Sequence, residues 1–291
     1  MPLETQPMSD YQKKLEDACT WLGISQGRAA EYVRLLHEFD QERLSDEHIM
    51  AYYESNDIVE LCKLWRERID AFPGLKDELL RVCEKGPVLS DEERTGSNNR
   101  ARNDAFGYLV AGKFLAAGIP VVSVDGKASG EVASKSPADL IFRWGDVYFN
   151  VECKRLQSEA RLLERAEQAK KQISQSGRCG IIVMDCSALY RPAGTLLDNS
   201  DPDGAGEQLF EWLKTHVAPK IIPNLSPDVF GFILFVGIPA MTYTGTILRP
   251  NGERFQRRDV ISEWLIVADN QHKDFEMLKR IGKMLNAQDL A

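Results

Sequence analysis

Between residues 137 and 155, apolar and polar positions alternate on either side of Gly145-Asp146, with Leu140, Phe142 and Trp144 before the pair and Val147, Phe149 and Val151 after it. A period of two predicts strands, and Gly-Asp suits a two-residue primed turn, so the segment PADLIFRWGDVYFNVECKR predicts a β-hairpin. The turn sets the register. Trp144 faces Val147, Phe142 faces Phe149, Leu140 faces Val151, and Asp139 faces Glu152. Because side chains alternate across a strand, the six apolar residues share one face. Asp139, Ile141, Arg143, Tyr148, Asn150, Glu152 and Lys154 share the other. The first face is expected to be core and the second to carry chemistry.

Elsewhere the period lengthens to that of helices. The first 90 residues predict helices around 10–22, 26–42, 46–70 and 74–85, with Tyr32, Leu35, Leu36 and Phe39 forming a buried stripe. The polar stretch Val88 to Asn99 reads as a linker. Asn98 and Asn99 are placed to cap a helix carrying Phe106, Leu109, Val110, Phe114 and Leu115 on one face and ending at Gly118. A short strand, Ile119 to Val124, and a loop, Asp125 to Ser136, lead to the hairpin. Leu162, Leu163, Ala166, Ala169 and Ile173 then mark an amphipathic helix, followed by the apolar strand Ile181 to Asp185. Strand, helix and strand in succession predict a parallel crossover onto one sheet. Beyond residue 190 an acidic turn (198–206), a helix (208–217), strands at 229–236, 241–248 and 263–268 and a closing helix (274–286) extend the sheet. The pattern predicts an α/β chain: a helical region over residues 1–90, then an α/β domain over 91–291 with a mixed sheet and a C-terminal α/β extension.

Opposed like charges destabilise an antiparallel pair, whose β-carbons are only about 5 Å apart. A divalent cation between Asp139 and Glu152 offsets that repulsion, and magnesium favours one or two carboxylates completed by water and phosphate. Lys154 falls on the same face, where its ammonium can orient or help deprotonate a nucleophile and stabilise developing negative charge. The same residues also satisfy an ordinary amphipathic hairpin in which Asp139 caps a strand and Glu152 pairs with Lys154 or Arg155.

Pro137-Ala138-Asp139, twelve residues, then Glu152-Cys153-Lys154 resembles the signature of the PD-(D/E)xK, or restriction-endonuclease-like, nuclease superfamily. The resemblance covers roughly residues 98 to 187 and implies a core running helix, three strands, helix, strand. It further implies a magnesium-dependent nuclease, with manganese as a substitute and DNA favoured over RNA. Asp139 and Glu152 would bind the metal, joined by the backbone carbonyl of Cys153, and Lys154 would assist attack of water. Such nucleases often carry a glutamine on the following helix. Here Gln168 and Gln172 are available, and Gln172, bordering Ala169 and Ile173, is the better placed. Many also carry an acidic residue on the first core helix. This chain has Gly107 where a glutamate would be unsurprising, and Asp104, one turn earlier, is the nearest substitute. A different reading keeps the fold without catalysis, as a silent nucleic-acid-binding or regulatory module.

Charge divides unevenly along the chain. Residues 1–90 carry 18 acidic against 11 basic side chains, or −7 of the total −8. The N-terminal region is therefore expected to support the core, form a homodimer or bind a protein partner rather than contact phosphates. Near the hairpin, Lys127, Lys135, Arg143, Arg155, Arg161, Arg165, Lys170 and Lys171 are candidates for a phosphate backbone, or simply solvate their helix beside Glu159, Glu164 and Glu167. Six cysteines show no zinc-type spacing, and no secretory signal is read at the N-terminus, so a reduced, cytoplasmic protein is expected. The most apolar run, Val229 to Met241, is interrupted by Gly231, Gly237 and Pro239 and falls short of the roughly 20 residues a membrane helix needs.

Overall fold

The computed structural model describes residues 8–38, 45–95, 100–128, 138–190, 197–199, 202–248 and 254–288. The chain opens with helices α1 (Met8–Leu22), α2 (Gly27–His37), α3 (Asp46–Trp65), α4 (Leu75–Glu84) and α5 (Leu89–Thr95). The first four match the predicted periodicity. The fifth corrects the linker expected at 88–99: α5 is mostly polar, yet its Leu89 is buried and its Glu92 is buried against Arg102 and Arg155, so ion pairs as well as one apolar anchor hold it in place. Asn98 and Asn99, expected as caps, lie outside the described residues, as do Phe39 and Pro137.

Next come α6 (Arg100–Ala116), β1 (Val121–Val124), β2 (Lys127–Ala128), β3 (Leu140–Trp144), β4 (Val147–Arg155), α7 (Leu162–Gln175) and β5 (Gly180–Asp185). Apart from the two-residue β2, the order is helix, three strands, helix, strand. The remainder is α8 (Ser187–Tyr190), β6 (Leu197–Asn199), α9 (Pro202–Trp212), α10 (Ala218–Ile221), β7 (Val229–Leu248), β8 (Arg254–Ala268) and α11 (Phe275–Gln288). The segments read as separate strands at 229–236 and 241–248 form one continuous β7. Pro239, which has no N–H to donate, falls between the last pair with β5, at Phe235, and the first with β6, at Ala240. The acidic turn expected at 198–206 contains the end of β6 and the start of α9.

The eight described strands form one mixed sheet, ordered β2-β1-β3-β4-β5-β7-β6, with β8 antiparallel to β7. β1, β3 and β4 pair antiparallel, whereas β4, β5 and β7 run parallel, so α7 makes the expected crossover. The β3–β4 register is the predicted one, from Trp144↔Val147 to Leu140↔Val151. Gly145 has φ +59 while Asp146 does not enter the left-handed region, as in a II′ turn.

Both faces of the sheet are covered. Leu140, Phe142, Phe149, Val151 and Cys153 join Phe114 of α6, Trp65 of α3 and Leu278 of α11 in one core. The helices of residues 8–95 contribute Leu15, Tyr32 and Leu79 to that same core. Ile182, Met184 and Phe232 join Ala166, Ala169 and Ile173 of α7 in a second core on the opposite face. The expectation of one polar, chemical face on the hairpin is therefore corrected: Ile141 and Asn150 are buried there, and Val147, assigned to the core face, is 54% exposed at the hairpin tip. Near the middle, α3 and α6 approach closely. A β-carbon on Gly112 would stand 2.9 Å from Leu64 Cβ, and Trp65 Nε1 donates to Tyr108 O at 3.0 Å.

Candidate active site

At the C-terminal end of β4, the ladder is extended beyond its last backbone pair by a side chain. Cys153 N–H donates to Asp139 Oδ2 at 2.7 Å, which draws the Asp139 carboxylate across onto β4. Lys154 Nζ lies 2.8 Å from Glu152 Oε2 and 3.7 Å from Asp139 Oδ2. The three side chains singled out by the hairpin register thus meet. They differ in exposure: the Glu152 side chain is fully buried, that of Lys154 is 12% exposed and that of Asp139 37%.

Burial, then the neighbouring Asp139 charge, push the Glu152 carboxyl up to about 7 against the opposing pull of Lys154. Burial likewise raises Asp139, with Asp125 and Asp104 adding to the effect, while Lys154 and the Cys153 N–H oppose it. Lys154 is held above its ordinary value because both carboxylates outweigh its desolvation. Glu152 Oε1 is buried without a hydrogen-bond partner. Such an orphaned, desolvated acceptor beside a second carboxylate fits a hard cation.

A cavity of about 170 Å³ is lined by Asp139, Cys153 and Lys154 from the hairpin and by Asp104 and Gly107 from α6, whereas the buried Glu152 does not line it. Asp104, the expected third acid, is in the wall but bonded to Arg81 Nη2 of α4 at 2.8 Å and flanked by Arg100 at 3.9 Å. Among the described residues no group of three His, Cys, Asp or Glu side chains is placed to hold a metal ion. Asp104 therefore shares the cavity with Asp139, with its carboxylate paired to the Arg81 guanidinium from the N-terminal helices.

Of the two glutamines, Gln168 lines the cavity and accepts from Arg165 Nη1 at 2.8 Å, whereas Gln172, the one expected there, does not line it. Gln172 lies one turn deeper beside the buried Ala169 and Ile173, and its buried Oε1 has no hydrogen-bond partner. Cys153 packs into the first core, opposite Glu152, as the alternation requires.

Asp125, missed in the sequence, also lines the cavity. Its N–H donates to Asp139 O at 2.7 Å and its Oδ2 accepts from Tyr108 Oη at 3.0 Å. The signal was present: Asp125-Gly126 closes a two-residue turn between β1 and β2, with φ +45 and +72 as a type I′ turn demands. Arg155, next along β4, is bound instead to Asp185 at 3.2 Å and Glu92 at 3.5 Å, and Asp185 Oδ1 accepts from Ser187 N at the start of α8.

Comparison with family models, characterised proteins and solved structures finds no match to this chain. No helix among the described residues is long and apolar enough to cross a membrane.

Proposed function

We propose that this protein is a metal-dependent nuclease of the PD-(D/E)xK type, hydrolysing phosphodiester bonds with DNA as the favoured substrate. The observation that carries the reading is the meeting of Asp139, Glu152 and Lys154, with Asp139 and Lys154 lining one cavity and Glu152 buried beside them with its Oε1 unpaired. The element order α6-β1-β3-β4-α7-β5 and the parallel β4–β5 pair support it.

Asp139, Glu152 and the Cys153 carbonyl would hold a magnesium or manganese ion, and that ion would supply positive charge to a phosphoryl oxygen and to the attacking water. Cys153 N–H keeps the Asp139 carboxylate turned towards β4. Lys154, pinned between both acids, presents an ammonium that can orient water and offset negative charge developing on the phosphate. The burial of Glu152 strengthens each of these electrostatic effects.

One observation favours a second reading, a silent nucleic-acid-binding module: the Asp104 carboxylate is paired with Arg81. Incubating the full chain with single- and double-stranded DNA and RNA, in magnesium, manganese or chelator, separates the two. Cleavage that needs the metal and is lost in Glu152→Gln and Lys154→Ala is the expected result. Cleavage retained in either variant refutes the assignment, and DNA binding without cleavage under any condition supports the silent module.

A further inference from the structure

Three cations line the cavity, and two of them are already committed to carboxylates. Lys154 is held by Glu152 and Asp139, and Arg155 by Asp185 and Glu92. Arg165, in the first turns of α7, differs. Among the described residues its contact is to the neutral Gln168 Oε1, and no carboxylate lies within ion-pairing distance of it. An anion entering this cavity meets the acids Asp125 and Asp139 in its lining, while Asp104 is paired with Arg81. A phosphodiester therefore gains from a cation whose charge is not already offset, and the Arg165 guanidinium at the cavity's edge, exposed in its bond to Gln168, presents a planar fork suited to its non-bridging oxygens.

Building on the nuclease reading above, we propose that Arg165 is the residue that grips the substrate's phosphate backbone at the mouth of the cavity, with Gln168 positioning its guanidinium. This grip makes the site selective for an anionic polymer backbone over a neutral ester. It also assigns Gln168 a role through Arg165 rather than in the chemistry itself.

The test uses the full chain and fluorescent DNA, measuring cleavage in magnesium and binding by anisotropy in chelator. Arg165→Ala is expected to raise KM and weaken binding by about tenfold or more, the scale of a lost charge-assisted hydrogen bond, with kcat within threefold of wild type. Its plot of log affinity against log salt is expected to be shallower by about one. Arg165→Lys recovers part of the affinity, and Gln168→Ala shows a milder KM effect. Lys63→Ala, which removes an exposed charge from α3 outside the cavity lining, leaves KM unchanged. Thermal melts equal to wild type establish that the exposed substitutions leave the fold intact.

Unchanged KM and salt slope in Arg165→Ala overturns the proposal, as does an equal loss in Lys63→Ala or a wild type that binds no DNA. If wild type binds DNA without cutting it and Arg165→Ala still loses that binding, the nuclease reading fails while the grip stands. If wild type cuts and Arg165→Ala cuts with the same KM, the grip fails while the nuclease reading stands.

Discussion

Replacing Glu54 with glutamine tests how the N-terminal helices are fastened to α6 and the sheet it covers. The Glu54 carboxylate, on α3, is 3% exposed and accepts from Arg28 Nη1 of α2 at 2.8 Å, from Arg102 of α6 and from the Tyr32 hydroxyl. Burial acts to raise its pKa, but the guanidiniums of Arg102 and Arg28 outweigh it and hold the carboxyl at about 2. The gap from the ordinary 4.5 to about 2 corresponds to roughly 3 kcal/mol of stability at neutral pH. Because the folded value is depressed, this contribution is complete above about pH 4.5 and lost as the pH falls towards 2. Removing one partner of a buried ion pair costs about 3–5 kcal/mol by a separate route, since both arginines keep their charge. The two routes agree. At about 2–4 °C per kcal/mol, Glu54→Gln is expected to melt roughly 10 °C below wild type at pH 7.5. At pH 3.5 the gap should narrow by about 1 kcal/mol, as the wild type loses part of its carboxylate advantage. Adding Arg28→Met should recover part of the loss, because Arg28 is ion-paired with Glu54 and less uncompensated charge then remains buried. Thermal and urea denaturation at both pH values provide the readout. A variant melting within 2 °C of wild type at pH 7.5, or a gap that widens at pH 3.5, refutes this account of the network.

Magnesium or manganese at about 100 times its dissociation constant should stabilise wild type by about 2.7 kcal/mol in a thermal melt. The same addition should leave Glu152→Gln unmoved, and an equal shift in both proteins places the ion elsewhere. Gly107→Ala is expected to stabilise the protein by about 1 kcal/mol, since Gly107 lies inside α6 and a β-carbon there meets nothing within 4 Å; a lower midpoint in urea contradicts this. Of the six cysteines only Cys179 is not buried, so a thiol reagent should label one equivalent quickly under native conditions and none in Cys179→Ser. Rapid labelling of a second thiol would show that a buried cysteine is more accessible than its packing indicates.

Much of the candidate site follows from a short stretch of chain. Gly145-Asp146 sets a two-residue turn, the turn sets the register, and the register brings Asp139 beside Glu152 and Lys154 across only 15 residues. Each step is local, so alternation and turn chemistry were enough to determine it, and helical periodicity likewise located α1 to α4, α6 and α7. Tertiary structure decided what those residues face. Glu152 is buried because α7 covers the face that the hairpin alone would leave polar. Asp104 is paired because Arg81, 23 residues away, reaches it from another helix, and α5 is ordered because its Glu92 meets Arg155, 63 residues along. β7 continues through Gly237 and Pro239 because β8 pairs with it along nearly its whole length. Local pattern sets the direction of a side chain relative to its own backbone; burial and charge pairing depend on what the rest of the chain brings opposite, and no window along the sequence contains that partner.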